Sequence, residues 1–290
     1  MTAAAAVRDT ARGLLADEEL ADLRRELVEL GFGELVAEDP REAIALWFTE
    51  QGRAGRITGA LDLLVDDAGA DPVLYPLCAD RGVVLDPPPT LTRVHVPGVG
   101  RAEVGQVRPA GGFARELPVA LVEPRADLPD LAEPLLSRLR TALAWELIGA
   151  AERIAELTVE YVGLREQFGS PIGTRQAVRH RLADVRVALE GARVVAARTP
   201  LDDSVLAAAA KALAGRAALL ACDWALQFHG AIGFTREHRL PHHVRQVRFL
   251  DGLLGSAATL TTQLGTRIAA EPAVTGAVRD VLGPAAEALP

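Results

Sequence analysis

The sequence has few aromatic residues and no excess of positive charge, and each shortage argues against a class of protein. Aromatic side chains make up only 4% of the 290 residues, which removes the stacking surfaces on which single-stranded nucleic acids bind. The formal net charge of −8 argues against a protein that binds the phosphate backbone. We therefore expect no nucleic-acid partner.

Cysteine and uncharged apolar runs are also scarce. Cys78 and Cys222 are the only cysteines, and two thiols so far apart in sequence predict a chain without disulfides, with both thiols buried. The N-terminus lacks the basic and then apolar order of a secretion signal, and no run of 18 apolar residues is free of charge. These features predict a cytoplasmic chain with no membrane span.

Hydrophobic residues, in contrast, make up 49% of the chain, which is enough for a large folded core. Helical spacing of apolar residues and the distribution of proline divide the chain into four parts. We expect a short N-terminal helical region at 1–71, a reduced, proline-rich β middle region at 72–129, a C-terminal four-helix bundle at 130–270 and a loose tail at 271–290. The fold class is therefore mainly α.

Individual helices are predicted from apolar spacing and from breaks at glycine and proline. In the N-terminal region the pattern predicts helices at 40–48 and 56–67. In the bundle, a long first helix is followed by helices at 175–198, 203–228 and 241–268.

The middle region has short β-branched runs between its prolines. They predict strands at 82–85, 92–96 and 117–122. The glycines within 98–105 look like a dinucleotide loop, but the third glycine falls two places late and no helix follows. We therefore predict a hairpin there and no phosphate site.

Four short motifs lie within the predicted bundle. They are REQFG at 165–169 followed by PIG, Gln176 eleven residues after Arg165, QFHGAIGF at 227–234, and Arg245 ten residues before Gly255. In this order, on a four-helix pattern, they resemble the C-terminal domain of the acyl-CoA dehydrogenase family. That resemblance implies the family's fold.

The residue types in these motifs suit a flavin dinucleotide. A forked arginine matches a pyrophosphate, glycines let backbone amides approach a ligand closely, and glutamines both donate and accept hydrogen bonds. The resemblance implies that FAD, held mainly by a neighbouring subunit, is bound by Arg165, Gln167, Phe168, Gln176, Gln227, Phe228, His229, Gly230, Ala231 and Ser256.

The catalytic base of the family is missing from this pattern. The family removes a proton and a hydride from an acyl-CoA thioester, with a glutamate as base. The resemblance places that base either directly before Gly255 or 26 residues before Arg165, and the residues there are Leu254 and Leu139. Leucine cannot move a proton, so we predict no catalytic residue in this chain.

Three nearby carboxylates are weaker candidates for a relocated base. Asp251 lies three residues before the first leucine, and Glu133 and Glu146 lie six before and seven after the second. A shift of one helical turn moves a carboxylate by about 5 Å, and proton abstraction does not tolerate such a displacement. No metal site is predicted, because Pro241 interrupts the helix between His238 and His242.

The middle region also departs from the family. The family's loop that holds the flavin ring, of the type Thr-Glu-Pro-x-Ala-Gly-Ser-Asp, has no counterpart here. The chain therefore resembles the truncated, base-less subunit of actinobacterial heteromeric, steroid-type acyl-CoA dehydrogenases. That implies an acyl-CoA substrate and a homologous partner subunit with the catalytic glutamate, while the electron acceptor stays unknown. A self-sufficient enzyme with a relocated base and a flavin-free scaffold protein remain alternatives.

Overall fold

The computed structural model describes six stretches of the chain, and most of the residues in them are helical. These stretches are 3–17, 23–66, 68–69, 71–78, 81–125 and 128–270. The predicted tail at 271–290 and the side chain of Cys78 lie outside the described residues. The thiol of Cys222 is buried and forms no disulfide, as predicted.

Four helices lead into the structure. They are α1 Ala3–Ala16, α2 Leu23–Glu29, α3 Phe32–Glu38 and α4 Pro40–Ala54. Helix α4 begins at a proline and is capped by the side chain of Asp39, which accepts from the backbone N–H of Glu42 at 3.0 Å. The helix predicted at 40–48 is thereby confirmed.

The prediction of an α-helix at 56–67 is wrong. Only a short 3-10 helix, Gly59–Leu64, forms there. Its start is fixed by Thr58, whose hydroxyl accepts from the backbone N–H of Ala60 and donates to Gln51 Oε1 at 2.6 Å. This side-chain bonding competes with a longer α-helix, as is typical of threonine.

The middle region is a five-stranded antiparallel sheet that curls on itself. Its strands are β1 Tyr75–Cys78, β2 Arg81–Leu85, β3 Arg93–Val96, β4 Gly100–Pro109 and β5 Val119–Pro124, in the order β1-β2-β5-β4-β3. The three predicted strands are confirmed with shifted ends, and so is the hairpin between β3 and β4.

The two edges of this sheet meet. The backbone N–H of Leu74 donates to His95 O at 2.9 Å, and that of His95 donates to Pro72 O at 2.8 Å. The chain entering β1 therefore pairs with β3 and closes the sheet around its own small core. That core consists of Leu74, Val84, Val94, Val96, Ala102, Ala120 and Val122.

The remaining chain forms the bundle. Its helices are α5 Glu133–Leu164, α6 Gln176–Arg198, α7 Ser204–His229, α8 Leu240–Gly252 and α9 Ala257–Ala270. The predicted single helix at 241–268 is wrong, because Leu254 and Gly255 adopt positive φ of 55° and 106° and divide it into α8 and α9.

Helix α7 lies in the centre of the bundle. The stretch Ser204–Phe234 is long and apolar enough to cross a membrane by length and composition, and 72% of its most apolar window is buried inside the protein. Burial of this kind is what a core helix shows. Alanines supply most of its buried face, which lets α7 pack closely on α5.

Candidate functional site

A short hairpin follows the end of α5 and carries the first motif. Two-residue strands, β6 Glu166–Gln167 and β7 Ser170–Pro171, form it. Arg165 sits at its base, where its backbone N–H donates to Tyr161 O at 2.8 Å. The guanidinium of Arg165 is exposed and forms no ion pair or hydrogen bond with any residue that the structure describes. This cation is free to bind an anion.

The turn of this hairpin displays an aromatic ring. Phe168 has a φ of 55° and is 90% exposed. A side chain in this left-handed region costs roughly 1–2 kcal/mol, and here no burial offsets that cost. The guanidinium of Arg175 lies 4.9 Å from the ring centroid and its Nη2 donates to Gln167 O at 3.3 Å, which holds the turn in place. Backbone strain of this kind is typical of ligand and partner sites.

The glycine-rich motif forms the end of α7. Gly230 has φ 60° and ψ −136°, a conformation that only glycine adopts readily. A Cβ on Gly233 would lie 3.0 Å from the Cβ of His229, so that glycine is required for packing. Gln227 is exposed and hydrogen-bonds to none of the described side chains. Phe228 is half-buried and stacks on Trp224.

His229 is buried behind this turn with its proton position fixed. Its Nδ1 lies 2.8 Å from Ala225 O, and because a carbonyl only accepts, Nδ1 carries the proton. Its Nε2 is a buried acceptor that has no partner within the described residues. The ring stacks on Tyr161 at 4.2 Å and meets His238 edge-on at 4.7 Å. Burial lowers the pKa of His229, so the ring is neutral.

These motifs lie at one end of the bundle. Helices α5 and α7 both end there, as the Tyr161–His229 stack shows, and α6 begins there at Gln176, whose side chain is exposed. An exposed cation, three exposed amides (Gln167, Gln176 and Gln227), an exposed aromatic ring and an open glycine turn thus lie at the same end of the bundle. This set of groups fits an elongated anion such as the pyrophosphate and sugars of a dinucleotide.

Ser256 is not part of this surface. Its hydroxyl accepts from the backbone N–H of Thr259 at 3.2 Å and begins α9. The adjacent Gly255 is bonded to Lys211, which lies sixteen residues before Gln227 on α7, or roughly 24 Å along the helix at the usual rise. The ten residues that the resemblance implies therefore divide into nine at the end of the bundle and one far from it.

The two positions expected for the base lie in the hydrophobic core. Leu139 is 0% exposed and Leu254 is 8% exposed. Arg140 Nε donates to Leu254 O at 3.1 Å. The ammonium of Lys211, itself fully buried, donates to Asp251 O at 2.9 Å and to Gly255 O at 2.6 Å. The loop between α8 and α9 is therefore fastened from both sides by Arg140 and Lys211, whose side-chain nitrogens donate to its carbonyls. Burial lowers the pKa of Lys211 to about 7.

The three carboxylates that are weaker candidates for the base lie in different environments. Asp251 Oδ1 accepts from the backbone N–H of Ala257 at 2.9 Å, which caps α9. Glu133 is exposed at the start of α5. Glu146 is buried in the core, and burial raises its pKa to about 8.

The sequence did not predict roles for Arg140 and Lys211. Lys211 is the only lysine in the chain and lies within the apolar run 205–215, and that was the available signal. No group of three or more His, Cys, Asp or Glu that could hold a metal ion occurs in the part of the chain that the structure describes.

Comparisons with known proteins agree with the motifs. Residues 130–269 match the family model "Acyl-CoA dehydrogenase, C-terminal domain". The chain is similar to acyl-CoA dehydrogenase IpdE2 of Mycobacterium tuberculosis, with 35% identity over 205 residues, 66% of this chain and 63% of the relative. It covers smaller shares of the next curated relatives, for example 34% of a 3-sulfinopropanoyl-CoA desulfinase of Paraburkholderia xenovorans.

Solved structures share the fold over nearly the whole length. The Tcur3481-Tcur3483 steroid ACAD superposes with a TM-score of 0.69 at 22% identity, covering 95% of this chain and 99% of that one. A chain of the ChsE4-ChsE5 complex from Mycobacterium tuberculosis superposes with a TM-score of 0.68 at 20% identity, covering 94% and 99%. At such identities the likeness shows the fold alone.

Proposed function

We propose that the protein is a subunit of an FAD-dependent acyl-CoA dehydrogenase, because residues 130–269 match the model of that family's C-terminal domain. The exposed, unpaired guanidinium of Arg165 beside the strained, exposed Phe168 is the observation that carries this proposal.

The residues at the end of the bundle would hold FAD, which would supply the hydride acceptor. Arg165 would bind the pyrophosphate through a charge-assisted contact. Gln176 and Gln227 would hydrogen-bond the sugars or the adenine edge. The backbone at Gly230 and Ala231, together with Gln167, Phe168, Phe228 and His229, would form the surface for the rest of the dinucleotide. Ser256, which lies elsewhere, belongs to a second contact.

The proton is removed by a partner. Leu139 and Leu254 fill the two expected base positions with core side chains, and Asp251 caps α9. We assign the base to a glutamate of a homologous subunit in a heteromer, and the substrate to acyl-CoA thioesters of the large, steroid type. Two solved neighbours support this assignment, since one is named a steroid ACAD and the other is a complex of two proteins. The assembly is placed in the cytoplasm.

Co-expression tests the proposal. The chain is purified alone and together with an acyl-CoA dehydrogenase homologue from the same genome that carries Glu-Gly-Thr, and flavin absorbance per complex is measured after gel filtration. We expect a colourless chain alone and a yellow, active complex. A chain that alone retains flavin and dehydrogenates acyl-CoA would establish the self-sufficient alternative. A complex whose activity and flavin content equal those of the partner alone would establish a scaffold.

A further inference from the structure

A cluster of polar side chains lies buried where α4, α5 and α8 meet, away from the flavin surface. Glu146 of α5 and Gln51 of α4 are each 2% exposed, and Gln246 and His243 of α8 are 0% and 4% exposed. Three of their polar atoms have no hydrogen-bond partner in the described parts of the chain: Glu146 Oε1, Gln246 Oε1 and His243 Nδ1.

The cluster has no space for adjustment. A Cβ on Gly52 would overlap the backbone of Glu146, and one on Gly149 would overlap that of Thr49, so the backbones of α4 and α5 touch on both sides of it. Because an interior packed this closely leaves little room for a side chain to turn away, the carboxyl of Glu146 must be satisfied where it is.

The neighbouring amides show which bonds remain open. Gln51 Oε1 accepts from Trp47 Nε1 at 3.2 Å and from Thr58 Oγ1 at 2.6 Å, so its amide N–H groups are left to face Glu146. Gln246 Nε2 donates to Arg56 O at 3.2 Å, while Gln246 Oε1 remains a buried acceptor. An acceptor of this kind calls for a donor.

Among the described residues, no cation lowers the pKa of this carboxyl. Burial is the main cause that raises the pKa of Glu146 to about 8, against smaller opposing contributions from hydrogen bonds with Gln51 and Gln246. Burial also lowers the pKa of the adjacent His243 to about 4, aided by His242, Arg153 and Arg239 and opposed by a contact with Gln246. His243 is therefore neutral, and nothing in the cluster pairs with a carboxylate.

We propose that Glu146 is a protonated carboxylic acid whose O–H is donated to Gln246 Oε1, and that this bond fastens α8 to α5. A neutral carboxyl group has one O–H donor and an acceptor oxygen, which complements the open acceptor of Gln246 and the N–H groups of Gln51. Helix α8 runs directly into the loop that Arg140 and Lys211 hold, so Glu146 acts as a positioning residue for that loop. The inference does not depend on flavin binding.

The bond between α8 and α5 is expected to weaken as pH rises. When α8 opens, Glu146 regains its ordinary pKa of 4.5. The contribution of Glu146 to closure of α8 is full below that pH and declines as pH rises. It is lost by about pH 8, where Glu146 ionises in the closed state as well. Between these limits each pH unit weakens closure about tenfold.

Hydrogen–deuterium exchange of the full chain at pH 6, 7, 8 and 9, corrected for the intrinsic rate, tests this. We expect protection of α8 to fall about tenfold per unit from pH 6 to 8 and then to level off, while α6 stays unchanged. Glu146→Gln should remove the slope, because an amide keeps a donor without ionising. Glu133→Gln, on the exposed start of the same helix, should retain it. An equal slope in Glu146→Gln, or none in the wild type, overturns the proposal.

A second measurement needs no variant. The infrared carbonyl band of a protonated carboxyl group is followed in the wild-type chain, with isotopically labelled glutamate, from pH 6 to 9. We expect this band at pH 6 and its loss by pH 9. Its absence at pH 6 shows that Glu146 is ionised in the folded chain and overturns the proposal even if Glu146→Gln does not fold.

Discussion

Two parts of the bundle hold a non-glycine residue in the same left-handed conformation and use it in opposite ways. The hairpin end, residues 165–176 with 227–234, has Phe168 at φ 55° and 90% exposed. The fastened loop, residues 251–256, has Leu254 at φ 55° and 8% exposed. The backbone cost is equal, but only the loop offsets it by burying a large side chain in the core.

The basic side chains of the two regions differ in the same way. In the fastened loop, Arg140 and Lys211 are bound to backbone carbonyls of their own chain. At the hairpin end, Arg165 has no partner among the described residues. The loop therefore satisfies its own polar groups, whereas Arg165 is left exposed to solvent at the end of the bundle where we propose that the flavin binds.

The largest expected effect is on the fastened loop. Lys211→Met removes the side-chain amine that donates to the carbonyls of Asp251 and Gly255, and should lower the free energy of unfolding by about 2–6 kcal/mol, because two carbonyls lose their donor. Chemical denaturation of the isolated chain measures it. Arg216→Ala, exposed on the same helix, is the control and should cost less than about 0.5 kcal/mol. Equal losses in both variants would show that the ammonium does not hold the loop.

Substituting glycine at the two left-handed positions separates the energy gained from side-chain burial from the cost of backbone strain. Leu254→Gly removes a core side chain, which costs about 2–5 kcal/mol, and relieves roughly 1 kcal/mol of strain, so a net loss of roughly 1–4 kcal/mol is expected. Phe168→Gly gives the same relief but loses only the contact with Arg175, about 0.5–1 kcal/mol, so its stability should stay nearly constant. The denaturation midpoints of the two variants measure these changes in stability. A larger loss of stability in Phe168→Gly than in Leu254→Gly would contradict the comparison.

Arg165→Ala tests the hairpin end directly. It removes a charge-assisted contact of about 1.5–3 kcal/mol, which is roughly ten- to a hundredfold in flavin affinity, while the exposed position leaves the fold intact. Arg165→Lys should restore part of the affinity, because an ammonium does not fork. Flavin absorbance of the assembled complex after dialysis is the measurement. Arg198→Ala, at the other end of α6, is the control, and flavin retention equal to wild type in Arg165→Ala would assign that residue a structural role.

The smallest effect is expected for Asp251. Asparagine retains the oxygen that accepts from the N–H of Ala257, so Asp251→Asn should leave the activity of the assembled enzyme within a few-fold. Loss of a general base lowers the rate by at least about a hundredfold. A loss of that size, with flavin content unchanged, would assign the base to Asp251 and revive the self-sufficient alternative.

The sequence predicted those features that depend on neighbours along the chain. The hairpin between β3 and β4 and the proline start of α4 follow from local glycine and proline. The break at Leu254 did not, because its conformation depends on Lys211, more than forty residues away. Closure of the sheet depends on the hydrogen bond between Leu74 and His95, which are distant in sequence. The separation of Ser256 from Gln227 depends on the directions in which the helices run. Neither follows from local sequence patterns.

The position of Lys211 also determines how the chain responds to chemical labelling. It is the only lysine in the chain, and its side chain is fully buried. Amine-directed reagents will therefore spare this side-chain amine while the chain is folded. The same reagents will reach Lys211 once α7 separates from the 251–256 loop. Mass spectrometry of one peptide thus reports the opening of the bundle core, with no engineered probe.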